Sequence, residues 1–215
     1  MCETTLATEL LEVRVGSPKP LGNLFQLSAI NKRKVLHAVT LSYLGIEGDQ
    51  QADLKHHGGC DKAVHHYPAE HYRYWKKQLN KTETTIKTGM FGENLSTIGL
   101  TEQNVHIGDI FKIGNAIVQV SQGRQPCWKL NERFNIDDMA LKTQTSLRTG
   151  WYYRVLEPGE VQAGDTIELV ERIEHDWPLS KLLHILYETP LDYASLDEMT
   201  RIDSLTASWK KLAQT

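Results

Sequence analysis

From residue 1 to about residue 170 the apolar positions come in short runs broken by glycine, proline, asparagine and aspartate. ELLEVRVG and KVLHAVTLSYLGI hold β-branched and apolar runs of strand length. GDIFKIGNAIVQVSQ reads as a hairpin: Gly114-Asn115 separates two such runs, and glycine at the first central position suits a type II′ turn. VHIGDIFKIG (105–114) is echoed by VQAGDTIELV (161–170), and in both a Gly-Asp pair turns the chain into a new strand. One helix interrupts the strands. Pro68 suits a first turn, and Ala69, Tyr72, Trp75 and Leu79 follow at helical spacing.

The period changes after about residue 172. Leu179, Leu182, Leu183 and Leu186 fall at i, i+3, i+4 and i+7, one apolar helix face. TPLDYASLDEM offers Thr189 as an N-cap with Pro190 at the first helical position. DSLTASWKKLA offers Asp203 as an N-cap, with Leu205, Trp209 and Leu212 on one face. The pattern predicts a mainly β, α+β chain. Residues 1–172 form a small barrel of short, mainly antiparallel strands with an interspersed helix, and residues 173–215 form a three-helix module. So small a module is expected to pack on the main domain or on a partner.

Composition narrows the partners. Hydrophobic residues make up 40% and charged residues 24%, as in ordinary folded proteins. With 24 basic against 27 acidic residues, nothing suggests a nucleic-acid or membrane surface. An apolar run of about 18 residues, the length a membrane span requires, is missing from the sequence, and the start does not read as a secretory signal. Cys2, Cys60 and Cys127 lie far apart, an odd set that suits a reducing compartment, with the cytoplasm as the expectation.

Three stretches carry candidate chemistry. Residues 45–72 hold five of the nine histidines, among them the adjacent pairs His56-His57 and His65-His66. Adjacent pairs diverge on strand or helix and lack the spacing of structural zinc sites. Within HHGGCDK, Gly58 and Gly59 allow close backbone approach to an anion, and Lys62 adds a charge suited to phosphate. In GMFGENLST, Gly92 and Glu93 precede Asn94, whose amide is able to read a heterocycle edge. In SQGRQPCWKL, Pro126 takes the chain out of the ladder, Cys127 follows in the loop, and Arg124 nearby favours a thiolate. Each stretch also has a plainer reading: a Gly-Gly turn, an Asx-capped turn, a small buried cysteine.

In this order, GIEGDQQAD, HHGGCDKAVHHY, FGENL, GDIFKIGNAIVQVSQGRQPCWKL and GWYYRVLEPGEVQAGD resemble a MOSC domain, the module named after the C-terminal part of molybdenum-cofactor sulfurase. The HGGxDKAV and PCxKL phrases, with the helical tail, are most similar to the YiiM-type branch, in which a MOSC barrel precedes three helices. The resemblance spans residues 27 to 170. It implies a cytoplasmic enzyme that uses the molybdenum cofactor (molybdopterin) to reduce N-hydroxylated compounds, including base analogues such as 6-hydroxylaminopurine.

Carried onto this chain, the resemblance makes Cys127 the molybdenum ligand. Arg124 and Ser121 with their loop, Lys62, and the His57-Gly58-Gly59 turn would bind the cofactor's phosphate and pterin. Gly92 and Asn94 would line the same cleft, with Asn31 and His56 at its rim. His57 is the expected proton source. Because every motif lies before residue 170, the tail is expected to be dispensable for holding the cofactor but not for full activity. Three scattered cysteines cannot build a Cys₄ iron–sulfur site, and no dinucleotide fingerprint is present, so an external reductase is the expected electron donor. A homodimer is permitted. Two other readings stand beside this one: a non-catalytic carrier of the cofactor or of sulfur through Cys127, and a Cys-His hydrolase active without metal.

Overall fold

Glycine-led turns lay out the sheet. In the computed structural model, which describes residues 6–22, 26–53, 58–80 and 86–214, Gly114 stands at a φ of 54° and joins β10 (Ile110–Ile113) to β11 (Ala116–Gly123). Ile113 pairs with Ala116 across this two-residue turn, as its composition requires. The strands before it are β1 (Ala7–Glu9), β2 (Glu12–Val15), β3 (Lys19–Leu21), β4 (Gln26–Ser28), β5 (Arg33–Val35), β6 (Val39–Ser42), β7 (Gly45–Ile46), β8 (Val64–His66) and β9 (Leu95–Ser96). After it come β12 (Trp151–Glu157), β13 (Gly159–Val161) and β14 (Thr166–Glu171). The main sheet runs β1-β14-β10-β11-β12-β8-β9-β2-β5 and curls into a half-barrel. Every adjacent pair in it is antiparallel except β8 with β9.

The half-open barrel of short strands is thus present, with more helix inside it than the pattern revealed. Besides α1 (Glu70–Gln78), two helices follow the Cys127 loop: α2 (Lys129–Phe134) and α3 (Met139–Thr145). They pack with α1 in an aromatic cluster of Tyr67, Tyr72, Trp75, Phe91, Leu130 and Met139. This cluster lies behind the Gly92 turn and holds it in place.

The tail folds as α4 (Leu179–Tyr187), α5 (Tyr193–Thr200) and α6 (Ala207–Leu212). Leu179, Leu182 and Leu183 are fully buried, as the stripe required, but the caps differ from expectation. Asp192, not Thr189, accepts the N–H of Ser195, and Thr206, not Asp203, accepts the N–H of Trp209. The tail packs on the main domain, as its small size led one to expect. Its buried residues belong to the same core cluster as Val118, Val120 and Trp151 of the sheet. A Cβ added at Gly123 would fall 2.6 Å from the Trp209 ring, so only glycine lets α6 lie so close to β11. The Thr206 N–H donates to the Ser121 carbonyl at 3.2 Å, and its hydroxyl donates to Gln122 Oε1 at 3.0 Å. This contact explains why β11 alternates inward and outward only as far as Val120 and is buried on both faces from Ser121 to Gly123. No helix among the described residues is long and apolar enough to cross a membrane.

Strand β8 is also covered on both faces, which buries two consecutive histidines. His66 stacks on Trp151 with ring centroids 4.4 Å apart, and its Nε2 lies 2.9 Å from Thr97 Oγ1. Burial pushes the His66 pKa down to about 3 and lowers that of His65 well below the ordinary value. The unfolded chain takes up a proton on each near pH 6.5, whereas the folded chain resists. Their contribution to stability is therefore complete above about pH 6.5 and is lost as pH falls toward 3. His66 alone is expected to remove about 2 kcal/mol between pH 6.5 and pH 5. His65 acts in the same direction. Glu93, whose carboxyl is raised by burial, acts in the opposite one. Urea unfolding at pH 7 and pH 5 checks this: His66→Gln should shrink the acid loss by about the same 2 kcal/mol, and an unchanged loss would mean that His66 titrates normally when folded.

Candidate active site

Strand β11 ends at Gly123, and residues 124–127 run as an irregular loop before α2, as Pro126 requires. The Cys127 carbonyl accepts the Leu130 N–H at 3.0 Å, so Cys127 sits where the loop turns into the helix, half-buried. It opens onto a cleft between the half-barrel and the β4–β5 and Gly92 turns. Gly58, Lys62, Gly92, Asn94 and Arg124 line that cleft with Cys127, so residues read from three separate stretches of sequence meet in one place. His56 and His57 lie outside the described residues.

Arg124 is buried, at 6% exposure. Its backbone N–H donates to the Gly150 carbonyl at 2.9 Å, and its Nη2 donates to the Phe91 carbonyl at 3.4 Å. Its Nη1 is buried and has no hydrogen-bond partner among the described residues. A guanidinium so placed carries a large desolvation cost unless an anion meets it. Lys62 and Lys129 line the same cleft. The acidic side chain in the lining is Asp49, and it is already engaged. Asp49 Oδ1 accepts from Lys32 Nζ at 2.5 Å and from the Gly16 N–H at 2.7 Å. Burial lowers the Lys32 pKa, and the Asp49 charge works against that shift. The cleft therefore has a basic character although the chain carries a net charge of -3.

The glycines give an anion backbone to lie on. Gly92 has a φ of 76°, and a Cβ there would fall 2.8 Å from Ile30 Cγ1. Gly59, at a φ of 86°, opens a 3₁₀ turn over Cys60–Lys62 that brings Lys62 to the cleft. Gly59 itself is outside the lining, and so is Cys60, which is exposed.

Two expected site residues have other work, and a third stands outside the cleft. The Ser121 hydroxyl donates to the carbonyls of Asp61, at 2.6 Å, and Tyr152, at 3.1 Å. It clamps the glycine turn to the sheet and is outside the cleft lining. Asn94 reaches the lining, but its amide is spent inside the protein. Its Oδ1 accepts the His65 N–H at 3.1 Å, and its Nδ2 donates to the Arg14 carbonyl at 3.0 Å and to Asp49 Oδ2 at 2.9 Å. Through these bonds it ties β2, β8 and Asp49 together. Asn31 is exposed and outside the lining, where its neighbours Ile30 and Lys32 stand instead.

Residues not singled out from sequence complete the wall: Lys32, Asp49, His65, Phe91, Lys129 and Tyr152. The His65 and Tyr152 rings lie 5.1 Å apart. Desolvation, then the charge of Arg124, depresses the His65 pKa, so His65 is neutral at pH 7. Its Nε2 is buried without a hydrogen-bond partner among the described residues. Burial raises the Tyr152 pKa against the influence of Arg124, so its hydroxyl stays protonated.

The comparisons with known proteins agree with this fold. Residues 53–168 match the model of the MOSC domain, and residues 177–215 match that of the YiiM-like, 3-alpha helix domain. Protein YiiM of Escherichia coli (strain K12) is 43% identical over 187 residues, covering 87% of this chain and 83% of that protein. A protein named Reductase from Gibberella moniliformis is 36% identical over 196 residues, covering 90% of this chain and 35% of the longer fungal protein. The crystal structure of YiiM from Geobacillus stearothermophilus superposes with a TM-score of 0.82 at 32% identity, covering 96% of this chain and 97% of that one. The chain belongs to the MOSC-domain proteins, in their YiiM-like branch.

Proposed function

We propose that the cleft holds the molybdenum cofactor and that the protein there reduces N-hydroxylated compounds to the corresponding amines. The observation that carries this reading is the buried Arg124, its Nη1 unsatisfied among the described residues, set with Lys62 and Lys129 around a half-buried cysteine. That donor set fits a bulky anion bearing a thiophilic metal. Guanidinium and ammonium suit phosphate, and a thiolate suits molybdenum. Membership of a family named for molybdenum-cofactor sulfurase supports the cofactor, and the relative named as a reductase supports the type of chemistry.

Cys127 would hold the metal. Arg124, Lys62 and the backbone at Gly58 and Gly92 would hold the phosphate and pterin. When bound, the cofactor supplies the two-electron chemistry by which R–NH–OH, with two protons, becomes R–NH₂ and water. The chain's own residues bind, orient and hold protons. Lys32 and Asp49 fix the cleft wall through Asn94. His65, neutral, offers a ring nitrogen for hydrogen bonding rather than a proton. The Tyr152 hydroxyl is the protonated group of the wall that senses both Arg124 and Cys127, and it is the candidate donor toward substrate. Electrons would come from a separate reductase in the cytoplasm.

Two substitutions test the assignment. Arg124→Ala and Lys62→Ala are each expected to lower retained molybdenum about 10- to 100-fold, the worth of a charge-assisted hydrogen bond. In metal-free protein, Arg124→Ala should leave the melting temperature unchanged or raise it, because it removes a buried charge with no counter-ion among the described residues. Unchanged molybdenum in both variants would place the site elsewhere.

A further inference from the structure

Behind Arg124 lies a buried, hydrogen-bonded Glu102–His71 pair that takes no part in lining the cleft. Glu102 is 2% exposed and His71 7%. The His71 Nε2 lies 2.7 Å from Glu102 Oε2. Glu102 Oε1 accepts the Gly150 N–H at 2.8 Å. The Gly150 carbonyl in turn accepts the Arg124 N–H at 2.9 Å, one step beyond the Gly123–Trp151 pair that ends the β11–β12 ladder. Gly150 has a φ of 71°, and a Cβ there would fall 2.3 Å from the His66 carbonyl and 3.0 Å from His65 Nε2. Glu102 also accepts the N–H of Ser180, in the first turn of α4, on its backbone carbonyl at 2.7 Å. One residue thus ties α1, the turn before β12 and the helical tail to the loop that carries Arg124 and Cys127.

We propose that Glu102, held by His71, is the positioning residue for Arg124. It fixes Gly150, and Gly150 fixes the point at which β11 releases the Arg124–Cys127 loop. The inference rests on the reading of Arg124 as the partner of the bound anion. A buried carboxylate costs several kcal/mol in desolvation unless it is paired and hydrogen-bonded. Here both of its oxygens are used, one on a histidine and one on the backbone of the turn that seats Arg124. A guanidinium gripping an anion is sensitive to displacements of about 1 Å, so a rigid backing for the loop translates into affinity.

The test reads molybdenum per folded chain in full-length protein made in cells that build the cofactor. Glu102→Gln keeps an oxygen for Gly150 and turns its amide to His71, so it should retain molybdenum at nearly the wild-type level. Glu102→Asp keeps the charge but is one methylene too short to reach both partners, and it should lose molybdenum about tenfold, as substitutions that misorient ligand-holding residues do. The double variant Glu102→Asp/Arg124→Ala should hold no less than Arg124→Ala alone, because both changes act through one group. If Glu102→Asp does not fold, His71→Asn takes its place: it withdraws the ring that holds the carboxylate against Gly150, and the same tenfold loss is expected. Wild-type molybdenum in the shortened variant, or losses that multiply in the double variant, would overturn the proposal. Undiminished molybdenum in Arg124→Ala by itself would instead overturn the site reading beneath it.

Discussion

Cys127→Ala is expected to abolish reduction of N-hydroxylated substrates and to leave the melting temperature nearly unchanged. Cys127 is half-buried in an irregular loop and belongs to neither core cluster. Trimming its sulfur should cost well under about 1 kcal/mol, the range of substitutions away from cores and caps. Serine should not restore turnover, because a neutral hydroxyl is a far poorer metal ligand than a thiolate. Cys60→Ala is the control: Cys60 is exposed and outside the cleft, so activity should persist. The opposite pattern, lost stability with full turnover per folded molecule, would make Cys127 a packing residue and end the metal-ligand reading.

Removing the tail is expected to unfold the protein rather than yield a stable half-barrel. Leu179, Leu182, Leu183, Ile185 and Trp209 are all buried in the core they share with the sheet. Each contributes about 1.5–3 kcal/mol by burial, so their combined loss approaches the whole stability of an ordinary domain. The cut would also bare Gly123 and strip Gln122 of its Thr206 partner, directly upstream of Arg124. On these contacts the tail is expected to be needed for holding the cofactor as well as for activity. Near-ultraviolet circular dichroism of residues 1–172 should lack fixed aromatic signals. A folded fragment that still carries molybdenum would show that the half-barrel is autonomous after all.

What could be read from sequence was local. The two Gly-Asp echoes are equivalent turns because in each the aspartate accepts an N–H three residues back. His106 donates to Asp109 and Gln162 to Asp165, both at 2.8 Å. The strands that follow, β10 and β14, then pair with each other. The glycine turn with Lys62 and the Arg124–Cys127 loop were visible because glycine, proline and a charge beside a cysteine leave marks in a few residues. Capping was ambiguous for the same local reason: Thr189 and Asp192, like Asp203 and Thr206, stand three apart, and either is a good cap. The second of each pair won, and the first falls in the preceding turn. Helices α2 and α3 escaped notice because they are short and no side chain caps their starts.

The rest depends on tertiary neighbours. Nothing near Lys32 announces that Asp49, seventeen positions on, will take its charge. His65 and His66 look like a polar pair, yet a strand covered on both faces buries both. The apolar Ala63-Val64 before them and Tyr67 after them were the available sign of such a strand. The sequence around Asn94 gives no sign of its three hydrogen bonds, because they go to residues 29, 80 and 45 positions away.

The most direct measurement is the molybdenum content of the full-length protein purified from cells that make the cofactor, with 6-hydroxylaminopurine reduction assayed on the same sample using an artificial reductant. The expected result is near-stoichiometric molybdenum, turnover in proportion to it, and loss of both when the protein comes from cofactor-deficient cells. Protein without molybdenum from cofactor-competent cells, or turnover undiminished in its absence, would contradict the reading of the cleft.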